Sequence, residues 1–200
     1  MLKDAAPFRG SDRHVGCCKS LYGFFYAVRK GIALNVEKKW QSGVRRVTDV
    51  FRRLTGAEAE SLRSLCSMLM EQKESLQTLV AGVDAAIRCA ECGGECCVKG
   101  RYHFTAVDLL VYLSTGLPLF EPLFENGLCP YLGQCGCLME PAYRPFNCIT
   151  FNCERIEDLL SPEEIARFYR LERELRESYA KIRSLFPAKE MDGALLSGAP

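Results

Sequence analysis

The chain has 200 residues, 48% of them hydrophobic and 26% charged, with a formal net charge of +1. That balance suits one globular domain, or one with a helical extension, and excludes disorder over most of the length. Charge is uneven: residues 1–56 hold 12 Lys and Arg against 4 Asp and Glu, and residues 57–200 hold 14 against 21. A basic segment packed on an acidic remainder is the plain reading. No aromatic-interleaved motif accompanies the cations, so nucleic acid is not an expected partner. The longest uncharged apolar stretch, Leu109–Phe120, is too short to span a bilayer. Lys3, Asp4, Arg9, Asp12 and Arg13 precede only eight fairly apolar residues from Leu21 to Val28, which does not read as a secretory signal. The expected location is cytoplasmic, with no membrane contact.

Residues 1–20 contain Pro7, Gly10, Ser11 and Gly16 and read as a loose lead-in. Leu21–Leu34 is apolar and helical in part. Asn35 then caps a helix to about Leu54, with Trp40, Val44, Val47, Val50, Phe51 and Leu54 on one face. Thr55 and Glu58 form a capping box for a long helix to about Arg88. Its stripe is heptad-like: Leu62, Leu69, Leu76 and Val83 in one row, Leu65, Leu79 and Ala86 in the other, interrupted by Gln72. Such a stripe packs within a bundle, the favoured reading, or on a protein partner or second copy through helix 57–88. Thr105 and Asp108 cap a short helix through about Ser114.

From Gly116 to Cys153 the chain is full of Gly and Pro, which forbids long regular elements, and no β-hairpin signal is present. A loop region of that length needs an organising reason, and a metal site supplies one. Ser161-Pro162-Glu163-Glu164 opens the last helix, whose stripe is Ile165, Phe168, Tyr169, Leu175, Tyr179, Ile182 and Phe186 before Pro187 stops it. The division expected is a helical N-terminal region 1–85, a cysteine-cluster metal-binding domain 86–155, a C-terminal helix 156–187 packed on it, and a frayed tail 188–200. The fold class expected is mainly α: a helical bundle with an irregular cysteine-rich metal-binding core.

Nine of the 12 cysteines fall between 89 and 153. They form three clusters: Cys89, Cys92, Cys96 and Cys97; Cys129, Cys135 and Cys137; Cys148 and Cys153. In a reducing compartment such density points to metal rather than disulfides. Thiolates at these spacings select zinc or an iron–sulfur cluster, and Gly93 and Gly94 give the turn its freedom. With only His14 and His103 in the chain, an all-cysteine site fits better than a mixed one. His103 reads as solvated or capping, Cys66 as a small apolar residue in the helix stripe, and Cys17-Cys18 as an isolated pair. Arg88, Lys99, Arg101 and Arg144 are placed to offset thiolate charge, Arg144 through backbone carbonyls or ligand sulfurs.

Cys89-Ala-Glu-Cys92-Gly-Gly-Glu-Cys96-Cys97, Cys129-Pro-Tyr-Leu, Cys137 and Arg144-Pro145-Phe-Asn-Cys148 together resemble the YkgJ-like cysteine-cluster proteins, a zinc- or iron-chelating CxxCxxCC family. The flagellin lysine-methylase proteins are similar in their cysteine cluster. The resemblance covers about residues 86–155. It departs from the family in the three residues before Cys96-Cys97, in Cys137-Leu-Met-Glu, which is one residue longer, and in the extra Cys135. It implies a metal site more firmly than an activity. The expected ligands are Cys89, Cys92, Cys96, Cys97, Cys129, Cys137, Cys148 and Cys153, with Cys135 and Cys137 as alternatives. The expected function is a cysteine-cluster metal-binding protein, with an electron relay if the group is iron–sulfur. The alternatives are a methylase-like protein-modifying enzyme and a zinc-stapled helical interaction module.

Overall fold

The computed structural model describes residues 30–91, 100–124, 129–133, 136–186, 191 and 193–196, with the backbone alone at 30–34, 86, 89, 90 and 132. Helix α1 spans Lys30–Arg52, α2 Gly56–Ala81, α3 Ala85–Glu91, α4 Ala106–Thr115, α5 Phe146–Thr150, α6 Glu154–Glu157 and α7 Pro162–Ser184. A two-residue antiparallel ladder joins β1 (Leu132–Gly133) to β2 (Gly136–Cys137). The mainly helical expectation is met, and the small ladder is an addition. The segment 1–29, including Cys17 and Cys18, lies outside the described residues.

Each of the three capping boxes is formed. Thr55, Thr105 and Ser161 accept from the backbone N–H of Glu58, Asp108 and Glu164, and those carboxylates bond back to the cap residue's own N–H. The long helix expected to reach Arg88 breaks earlier. It ends at Ala81, and the chain turns through Asp84, a non-glycine residue at φ 55°, before α3 begins. Such a conformation is tolerated best by short polar side chains. Gly116, at φ 72°, closes α4 by donating its N–H to the Tyr112 carbonyl at 3.0 Å.

Helix α2 is the centre of the bundle. It packs most extensively on α7, and also on α4, α5 and the 3-10 turn Pro141–Tyr143. Leu62, Leu69 and Leu76 are fully buried, as the heptad row predicts. A second buried row, Cys66, Lys73 and Val80, runs beside it in place of Leu65 and Leu79, which are only half-buried. The stripe is therefore covered within the chain, and the expected dimer or partner surface along 57–88 is corrected. Each buried leucine contributes roughly 1.5–3 kcal/mol relative to exposure. On α7, Phe168, Leu175, Tyr179 and Ile182 point inward, whereas Tyr169 is exposed and donates to Glu157 at 2.7 Å.

The Gly- and Pro-rich segment is organised by aromatic side chains. Trp40 of α1, Phe104, Phe120 and Tyr131 contact one another with ring centroids 5.3–5.9 Å apart. Tyr112 extends this cluster to Tyr143 at 4.7 Å. Burial of such rings supplies the long-range contacts that the irregular backbone lacks. Part of the tail expected to fray also docks. Met191, Leu195 and Leu196 are buried, and the Leu195 N–H donates to the Phe104 carbonyl at 2.8 Å. A Cβ on Gly43 would lie 3.3 Å from Leu195, so a side chain there would have to push this segment away from α1 by a few tenths of an ångström.

Candidate functional site

The buried stripe of α2 carries one charge. Lys73 and Asp108 are both at 0% exposure, and Lys73 Nζ lies 3.3 Å from Asp108 Oδ1. The Tyr179 hydroxyl donates to the same Oδ1 at 2.5 Å. Asp108 Oδ2 accepts from the Thr105 N–H at 2.9 Å and from its hydroxyl at 2.7 Å. One carboxylate thus joins α2, the start of α4 and α7. Lys73 also sits 5.3 Å from the centroid of the Tyr179 ring.

Burial and pairing pull against each other here. Burial pushes Lys73 below the usual lysine range; the charge and hydrogen bond of Asp108 oppose that, as do the thiols of Cys66 and Cys148. Burial and then the adjacent Asp108 carboxylate push Tyr179 well up, so it stays a donor. The spacing of Thr105 and Asp108 marks Asp108 as a capping residue and says nothing of its second oxygen. The signal was Lys73 itself, seven residues after Cys66 and seven before Val80 on one helix face.

Beside this network His103 Nδ1 meets Cys148 Sγ at 3.3 Å. The two residues come from separate segments of the chain. His103 precedes the cap of α4, and its N–H donates to the Gly100 carbonyl at 3.0 Å. Cys148 lies in the single turn of α5, where its N–H donates to the Pro145 carbonyl at 2.9 Å. Cys148 is exposed and His103 half-exposed. Burial lowers the His103 imidazole from its ordinary value, opposed by the charge of Asp108. An imidazole touching an accessible thiol is a proton acceptor beside a nucleophile.

Of the eight expected metal ligands, Cys129, Cys137, Cys148 and Cys153 have described side chains, and these four are not grouped around a common point. Among the described residues, no group of three or more His, Cys, Asp or Glu side chains is placed to hold a metal ion. Cys92, Cys96, Cys97 and Cys135 lie outside the described residues, as does the side chain of Cys89. The others serve separate surroundings. Cys129 is buried and packs under Gly100, where a Cβ would lie 2.4 Å from its Sγ. Burial pushes its thiol up to about 11, against a backbone hydrogen bond from Tyr131. Cys137 is exposed at the end of β2, and Cys153 is the half-buried N-cap residue of α6.

Of the flanking arginines, Arg88 Nε donates to the Val83 carbonyl, and Arg144 Nε donates to the Met139 carbonyl, a backbone partner of the kind expected for it, both at 3.1 Å. Lys99 lies outside the described residues. The cysteine-rich metal core, its zinc or iron–sulfur group, the metal ion as partner and the YkgJ-like resemblance resting on them are corrected accordingly. So are the zinc-stapled and methylase-like alternatives, for which the described side chains offer no centre. The irregular segment has an organising reason in its aromatic cluster. None of Cys66, Cys129, Cys137, Cys148 and Cys153 is in a disulfide. No helix among the described residues is long and apolar enough to cross a membrane. No protein-family model matches the chain, and no curated protein or solved structure matches it either.

Proposed function

We propose that the protein carries out thiol chemistry at Cys148, in the form of thiol–disulfide exchange with an exposed disulfide of a partner molecule. The observation that carries this reading is the 3.3 Å contact between His103 Nδ1 and Sγ of the exposed residue Cys148. The proton of Cys148 passes to His103, and Sγ attacks one sulfur of the partner's S–S bond. That bond breaks, its electron pair leaves on the second sulfur, and this sulfur takes the proton back from His103. The product is a mixed disulfide and one released thiol, so Cys148 is oxidised as the partner is reduced. In the expected cytoplasmic setting, which is reducing, such a thiol stays available for exchange.

The test is site-resolved alkylation. Cys137 is the internal control, because it too is exposed. With iodoacetamide under reducing conditions, Cys148 reacts faster than Cys137. His103→Ala slows Cys148 by about tenfold or more, since a positioned base contributes on the order of a hundredfold or above when fully engaged. Equal rates at the two thiols, indifferent to His103, contradict the reading.

A further inference from the structure

The segments that carry His103 and Cys148 are joined through buried side chains. The join runs through Asp108. Thr105, two residues after His103, gives both its N–H and its hydroxyl to Asp108 Oδ2. Tyr179 gives its hydroxyl to Oδ1 at 2.5 Å. The same Tyr179 ring meets Phe146 edge-on, with centroids 5.3 Å apart and planes at 78°. Phe146 lies two residues before Cys148 in the same short turn. Arg176, one turn earlier on α7, holds its guanidinium 4.9 Å from the Phe146 centroid.

We infer that the Asp108–Tyr179 hydrogen bond is a positioning clamp that sets the approach of His103 to Cys148. This rests on the thiol reading above. Each end of the clamp is fixed locally. The His103 side is held by the capping box of α4 and by the Leu195 N–H on the Phe104 carbonyl. The Cys148 side is held by the Cys148 and Ile149 N–H groups, both donating to the Pro145 carbonyl. Movement of Phe146 therefore carries Cys148 with it. Tyr179 and Asp108 are buried and meet no substrate; they are positioning residues. Lys73 supplies the cation that keeps the shared carboxylate stable away from water.

Tyr179→Phe removes the hydroxyl and keeps the ring against Phe146. Alkylation of Cys148 is expected to fall about fivefold, the size of one ordinary hydrogen bond, while Cys137 is unchanged. A general loss of structure would instead change Cys148 and Cys137 together. In a His103→Ala background the Tyr179→Phe effect disappears, because the clamp acts through the imidazole. If Tyr179→Phe does not fold by circular dichroism, Phe146→Leu breaks the other arm and carries the same two expectations. A Cys148 rate that depends on His103 but ignores both Tyr179 and Phe146 overturns the clamp alone. An equal fall with and without His103 also overturns it. A rate that ignores His103 overturns the thiol reading and the clamp together.

Discussion

The half of the molecule built on α2 and α7 differs from the half built on the loops around Phe120 and Tyr131 in what holds it. The first half uses periodic side chains on capped helices, with one buried ion pair at its centre. The second has little regular structure and relies on rings that meet across large sequence separations, such as Trp40 with Phe120 and Tyr131. Regular hydrogen bonding makes the first half locally specified. In the second half, specificity comes from which ring meets which. The candidate site lies where the two halves join, with His103 on the side of the aromatic cluster and Cys148 on the short turn packed against α7.

The comparison is broken most strongly at Lys73. Lys73→Ala leaves the Asp108 carboxylate buried without its cation, and is expected to cost about 3–5 kcal/mol by urea unfolding. The double variant Lys73→Met, Asp108→Leu removes the charges together and is expected to cost clearly less than Lys73→Ala. Equal costs would show that the pairing is not what stabilises this centre. In the loop half, Phe120→Ala is expected to cost about 3 kcal/mol, the lower end for a large aromatic because Phe120 is only half-buried. A near-neutral result would mean that the aromatic cluster does not organise the loops.

The difference between the halves also explains what was legible. The three capping boxes have fixed spacing, so Thr55, Thr105 and Ser161 announce their helices. The row Leu62, Leu69 and Leu76 is visible as a period. The end of α2 at Ala81 was not, because the apolar pattern continues through Val83 while the backbone turns at Asp84. No period relates Phe120, Tyr131 and Tyr143 to Trp40 or Phe104, so the sequence does not announce this cluster. The cysteine spacing drew attention to ligation. The partner of Cys148 is a histidine 45 residues earlier, a relation that spacing alone does not encode.

The smallest expected effects sharpen the helical half. Thr55→Ala and Ser161→Ala are each expected to cost about 1 kcal/mol in thermal unfolding. Their capping boxes also predict a pH dependence. Hydrogen bonds from Thr55 and Ser161 hold the Glu58 and Glu164 carboxyls below their ordinary value of 4.5. A carboxylate with a depressed folded-state pKa stabilises fully above its unfolded value, and that contribution is lost as pH falls through the lowered one. The two helix starts should therefore keep full cap stability above about pH 4.5–5 and lose it below. Thr55→Ala and Ser161→Ala keep the cap backbone N–H, the larger cause, and should flatten that part of the acid-stability curve only in part.

The central claim is tested most directly by the covalent product. The reduced full-length protein is treated with a small disulfide such as cystamine, quenched early with acid, and the modified cysteines are mapped by mass spectrometry. The account predicts that the mixed disulfide forms first at Cys148 and that His103→Ala delays it. Mixed disulfides accumulating at Cys137 and Cys153 as fast as at Cys148, with no effect of His103, would contradict it.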